Sequence, residues 1–150
     1  MSEQPLIDPG LHPVHFVLAD GGEVQSYART MWASVSHVGT ALKLYGLGDV
    51  VTRPEARRRG YARWLVGEST SHIEFDVDAD AALLLTAPEL EALYRKCGWD
   101  RVPGLRVVTG EHGRISEATT IPCMIFLSEK ARALRERFTS QELVLPGDEW

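Results

Sequence analysis

The stretch VVTRPEARRRGYARWLV, residues 50–66, decides how the chain reads. An apolar run ends at Thr52. Arg57, Arg58 and Arg59 then stand in a row before Gly60, and Tyr61, Trp64 and Leu65 follow at helical spacing on one face. The pattern is strand, short loop, helix. The first four N–H groups of a helix have no partner inside it, and the helix dipole leaves about half a positive charge there. A phosphate at that point takes several hydrogen bonds at once. Gly60 removes the Cβ that would keep a phosphate oxygen from the backbone. Ala62 keeps the next exposed position small, and the arginine heads add positive charge. The pattern predicts a pyrophosphate held at a strand-to-helix turn; a solvated basic face is the alternative. No Gly-Lys-Ser/Thr follows, as a P-loop needs, and only one of the three glycines of the dinucleotide fingerprint is present.

Composition narrows the rest. The 150 residues suit one domain, with 44% hydrophobic and 25% charged residues. Formal net charge is −5, which argues against general nucleic-acid binding. Yet five of the 16 basic residues fall between Arg53 and Arg63. A local basic spot on an acidic protein fits a small anionic ligand better than a polyanion. No run of about 18 apolar residues predicts a membrane span, and the start MSEQPLIDPG lacks a signal-peptide pattern. Cys97 and Cys123 have no metal-ligand spacing and read as free thiols of a cytoplasmic protein.

Outward from the turn, residues 1–13 read as an irregular N-terminal arm and 14–150 as a single domain. Strands are expected at 14–20, 23–38 and 40–52, joined by turns at Gly21-Gly22 and near Gly39. Gly46 and Gly48 inside the third strand suggest a bulge or the close approach of a ligand. The helix after Gly60 should run to about Ser71. The acids Glu74, Asp76, Asp78 and Asp80 read as a solvated loop, since no EF-hand spacing follows. ALLLT (82–86) reads as a short buried strand. The helix 88–98 carries an apolar stripe of Leu90, Leu93, Tyr94 and Cys97, and stops at Gly98. WDRVPGLRVVTG and IPCMIFLS supply two strands, and 128–138 a last helix opened by Ser128. Antiparallel hairpins followed by a β-α-β step predict an α+β fold with a mixed, mostly antiparallel sheet.

RRRGYA, Arg57 to Ala62, matches the R/Q-x-x-G-x-G/A motif of the GCN5-related N-acetyltransferase (GNAT) superfamily. About 30 residues on, LEALYRKCGW resembles that family's tyrosine-bearing helix. The resemblance covers about residues 14–127 and implies acetyl-CoA as cofactor. It implies that backbone N–H groups from Arg58 through Arg59, Gly60 and Tyr61 to Ala62 hold the coenzyme A pyrophosphate. Val50 and Thr52, with Val51 between them, would pair with the pantetheine arm like an extra strand. The strands 40–52 and 82–86 would splay apart to admit the thioester, and Tyr94 would protonate the leaving thiolate. From the residues alone, a tyrosine on that stripe reads as a core residue.

The implied chemistry is acylation of a primary amine, which arrives protonated and needs a base. Asp49 is the nearest carboxylate on the third strand, in a setting expected to be apolar; His37 is a second candidate but reads better as a satisfied strand histidine. His72 and His112 read as surface loop residues. The ending LPGDEW resembles that of aminoglycoside 2'-N-acetyltransferases, which implies that Asp148 and the Trp150 carboxylate bind a cationic acceptor. The sequence shows no counterpart of the family's usual N-terminal strand and two helices. The acceptor is expected to be a small-molecule or peptide amine, and its cleft to be open, which suits a large or peptide-like amine, or covered by the 1–13 arm or by a second subunit in a homodimer. A coenzyme-holding module without turnover is the alternative function.

Overall fold

Glycine turns shape the first half of the sheet. In the computed structural model, which describes residues 9–109, 120–147 and 150 and the backbone of 114–115, Gly21 and Gly22 have φ of 58° and 81°. They turn β1 (Val14–Asp20) into β2 (Glu23–His37). Val38 and Gly39, at 50° and 72°, turn β2 into β3 (Thr40–Thr52). Both pairs take the left-handed geometry that a tight hairpin needs. The chain continues through α1 (Tyr61–Glu74), β4 (Ala81–Thr86) and α2 (Glu91–Lys96), then β5 (Asp100–Arg101), β6 (Val107–Thr109) and β7 (Arg114–Ile115). It ends with β8 (Ile121–Phe126), α3 (Glu129–Leu134) and β9 (Leu143–Leu145).

The main sheet runs β1-β2-β3-β4-β8-β5 and is antiparallel except between β3 and β4. A smaller sheet, β7-β6-β9, pairs β6 with β9 in parallel. This is the expected α+β architecture. The expected single strand over 99–110 is two short ones, β5 and β6, in different sheets. The Pro103-Gly104 step between them, with Gly104 at φ 81°, breaks the run.

Two cores sandwich the main sheet. On one face, Tyr45, Leu47, Ala82 and Leu84 meet Leu65, Val66 and Ile73 of α1, together with Tyr94 and Trp99. On the other, Leu42, Leu44, Ala81 and Leu83 meet Ala131, Leu134, Phe138, Leu143 and Leu145. Both faces of β4 are thus covered, which is why its sequence is a continuous apolar run. The buried line of α1 is Leu65, Val66, Ser69, Thr70 and Ile73, so the expected Tyr61/Trp64/Leu65 face is corrected: Trp64 is 55% exposed. Ser69 and Thr70 tolerate burial because their hydroxyls donate to Leu65 O and Val66 O of the same helix. Thr70 Oγ1 also accepts from Trp99 Nε1 at 2.9 Å.

The acidic stretch after α1 is not wholly a solvated loop. Asp76 accepts from Tyr45 OH and pairs with Lys43 Nζ, each at 2.7 Å. The Lys43 and Tyr45 hydrogen bonds hold its carboxyl down, at about 2. Asp80 is buried and accepts from Lys43 N at 2.8 Å. Burial works against its ionised form, but hydrogen bonds from Lys43 N and Ser128 and the charge of Lys130 outweigh it, and its pKa is lowered. These two acids fasten the β4 entrance to β3; Glu74 and Asp78 stay exposed.

Candidate active site

The basic turn leads from β3 into α1 through two left-handed residues. After the 3-10 turn Pro54–Ala56, Arg58 has φ 66° and Gly60 φ 81°. Arg57 before them is extended, so the chain turns sharply at Arg58 and again at Gly60 as it enters α1. Gly60 is the N-cap of α1, and no side chain caps the helix. The amides of its first turn are therefore open. A Cβ on Gly60 would meet nothing within 4 Å, so the space above the turn is free, and its left-handed φ favours glycine. A cavity of about 190 Å³ opens there, lined by Thr52, Arg57, Arg58, Gly60, Tyr61 and Ala62 among others. Arg57 folds back, its Nε donating to Thr52 O at 3.3 Å. Arg58 and Arg59 are exposed.

In front of this turn the sheet opens. β3 and β4 pair only at Leu44↔Ala81, Tyr45↔Ala82 and Gly46↔Leu83. Beyond Gly46, β3 runs on to Thr52 against β2 alone, while β4 runs on to Thr86 against β8 alone. Val51 O accepts from Ser26 Oγ, and Arg53 N donates to Gln25 O, so both face β2. Strand alternation turns the N–H and C=O of Thr52 the other way, into the gap. Between Tyr27↔Val51 and Arg29↔Gly48, two residues of β3, Asp49 and Val50, oppose the single Ala28. This is the bulge suggested by Gly48, and it bends β3 where the strands part.

A cavity of about 410 Å³ lies beside the free end of β3, lined by Val50, Val51, Thr52, Leu90, Leu93 and Tyr94 among others. Tyr94 is buried against the α1-side core and still borders this space. Tyr94 is thus a core residue with one edge on a cavity. Burial, with the neighbouring Cys123 and Cys97 adding, pushes its phenol above the usual 10.0. The group stays a proton donor at neutral pH.

A family model for the acetyltransferase (GNAT) domain matches residues 4–102. The chain belongs to the GNAT acetyltransferase family. No curated protein matches it. Among solved structures, the Escherichia coli GNAT N-acetyltransferase YhbS in complex with CoA is similar, at TM-score 0.61 and 20% identity, over 90% of this chain and 67% of that one. The Escherichia coli ribosomal-protein-S18-alanine N-acetyltransferase gives 0.55 and 19%, over 77% and 70%. The Vibrio cholerae spermidine N-acetyltransferase, in complex with CoA and spermine, gives 0.54 and 17%, over 78% and 67%.

The other expected residues of this GNAT domain are spread over both sheet faces, His72 on the α1 side with Tyr94 and His37 on the other. Asp49 has φ 51°, and its carboxylate lies 2.5 Å from Arg29 Nη1. The apolar setting expected for it is corrected: the Asp49 side chain is 57% exposed and ion-paired, while the Arg29 side chain is 7% exposed. His37 is buried with Nε2 2.8 Å from Phe138 O, a structural histidine. His72 lies in the last turn of α1 rather than in a loop, its ring edge-on to Phe16 and Tyr45. Asp148 and His112 lie outside the described residues. Trp150 packs over Gly46: a Cβ on Gly46 would lie 2.8 Å from its Cε3 and Cζ3. The close approach that Gly46 announces is thus made by this ring, and nothing local in LPGDEW or TALKLYG could have paired them.

Proposed function

We propose that the protein is an acetyl-CoA-dependent N-acetyltransferase that moves an acetyl group to a primary amine of a cationic acceptor. One observation carries the reading: the parallel β3–β4 pairing stops at Gly46–Leu83, so that a tyrosine-lined gap leads up to an uncapped, glycine-opened helix start. The residues present fit coenzyme A. The N–H groups from Arg58 to Ala62 would take its diphosphate, with Arg57, Arg58 and Arg59 around it. The polar backbone of Val50 and Thr52 would meet the amides of the pantetheine arm, and Leu90 and Leu93 its apolar stretch. Bound there, acetyl-CoA would supply the acyl thioester, and coenzyme A would leave as the thiol.

The chain's own residues divide the proton work. Asp49, on the acceptor face, would take the proton that an ammonium must lose before it attacks. Tyr94, on the opposite face, would give its phenolic proton to the departing thiolate, a role suited to a phenol held protonated by burial. Acid and base then stand on opposite sides of the parted strands. The exposed charge of Asp49 favours a cationic acceptor, and the substrates named for the similar structures, spermidine and an alanine of a ribosomal protein, are amines. Asp148 and Trp150 are proposed to line the acceptor side, and aminoglycosides remain among the acceptors to be tried.

The test is thiol release from acetyl-CoA with polyamines, peptide N-termini and aminoglycosides. Amine-dependent release that falls in Tyr94→Phe at saturating coenzyme is the expected result. A second reading, a coenzyme-holding module without turnover, draws on the ring of Trp150 over Gly46 and the Arg29 pairing of Asp49. Tight coenzyme binding with no thiol released by any amine would select it.

A further inference from the structure

We propose that the side chain of Trp150 sets the acyl length of the donor, admitting acetyl and excluding longer chains. The inference rests on the acetyl-CoA reading above and extends it to the donor's acyl group. An arm laid along the open edge of β3 from Thr52 ends where that edge closes, at Gly46. At that vertex is a cavity of about 20 Å³, lined by Met31, Gly46, Leu47, Leu83–Leu85, Leu145 and Trp150. Among the described residues, no charged side chain borders it. That volume admits a group the size of a water or a methyl and little more.

Most of its walls cannot yield. Met31, Leu83 and Leu84 are at most 3% exposed and belong to paired strands. Trp150 closes the remaining side from outside the main sheet. Its ring is seated so close to Gly46 that no Cβ fits between them. Its Nε1 donates to Pro146 O at 2.6 Å. The tail that carries it is tied down by β9, where Leu143 and Leu145 are buried and pair alongside β6. A propionyl or butyryl chain would have to displace the ring or overfill the vertex. Overfilling a packed site costs about 1–3 kcal/mol, or roughly five- to hundredfold in affinity.

The experiment is calorimetric titration of the full chain with CoA, acetyl-CoA, propionyl-CoA and butyryl-CoA, in the wild type, Trp150→Ala and Trp150→Leu. The wild type should bind acetyl-CoA at least about tenfold more tightly than butyryl-CoA, and Trp150→Ala should narrow that gap to within about threefold. Trp150→Leu keeps an apolar cover on Gly46 and should fall between the two; it also serves if the alanine variant melts early. Equal binding of all acyl lengths by the wild type overturns the role of Trp150 and leaves the coenzyme reading intact. So does a gap as wide as that of the wild type in either folded variant. Failure of the wild type to bind any of the four overturns the coenzyme reading itself, and this inference with it.

Discussion

Replacing Gly60 by alanine separates the turn's role in folding from its role in binding. Gly60 has φ 81°, and a Cβ there would touch nothing within 4 Å. The folding cost is thus backbone strain alone, about 1–2 kcal/mol for a left-handed alanine. For a chain of this size that lowers Tm by roughly 2–8 °C. If the open space above the turn is where a diphosphate sits, the same methyl group also displaces an anion from its donors. A hydrogen bond to a charged group is worth about 1.5–3 kcal/mol, so losing one weakens CoA binding about tenfold or more. Gly39→Ala supplies the control. Gly39 has φ 72° and equally open surroundings, but lies at the far end of β3, beside Thr40. Thermal melting and CoA titration of both variants form the assay. Both should melt lower; only Gly60→Ala should lose the coenzyme. A Gly60→Ala protein that melts lower yet binds CoA within about twofold of the wild type would refute the assignment of the turn.

Other expectations follow from the same geometry. Tyr94→Phe should lower kcat about 10²-fold with CoA affinity nearly unchanged, as loss of a general acid does; steady-state kinetics at saturating coenzyme would show it, and an equal loss of binding would instead mark Tyr94 as a packing residue. Asp49→Asn should lower kcat/KM at neutral pH and recover partly at high pH, where the amine arrives deprotonated; a pH profile parallel to that of the wild type would remove Asp49 from the proton path. Asp76→Asn should cost about 1–2 kcal/mol of stability at pH 7, after allowing for solvent screening at its partly exposed rim. The Asp76 carboxyl is held at about 2 against its usual 3.8, so its contribution is full above about 4 and disappears as pH falls through about 2. Denaturant titrations of variant and wild type should accordingly converge near pH 2.

Local chemistry made much of this legible. The limits of β1 and β3 follow from Gly21-Gly22, Gly39 and the alternating apolar residues. The strand-to-helix turn is legible because an arginine row, one glycine and a helical stripe are all local signals. Tyr94 was placed by its helix and the glycine after it. The contacts that escaped join distant segments. Asp49 reads as a carboxylate among apolar neighbours until β2 brings Arg29 beside it. Asp76 looks solvated until β3 presents Lys43 and Tyr45. Trp64 falls on the expected helix face, but the α1 line that meets the sheet runs through Leu65, Ser69 and Ile73, one position further on. Gly46 signals a close approach without naming what approaches, and Trp150 arrives only because β9 pairs with β6.

The claim on which the account depends is that open amides at the start of α1 grip the coenzyme's diphosphate. Backbone amide NMR during CoA titration tests it directly. The account predicts that the N–H signals of Arg58 to Ala62 shift most, with those of Val50 and Thr52 following along the gap. Saturable CoA binding that leaves Gly60, Tyr61 and Ala62 unmoved while another region shifts would contradict it.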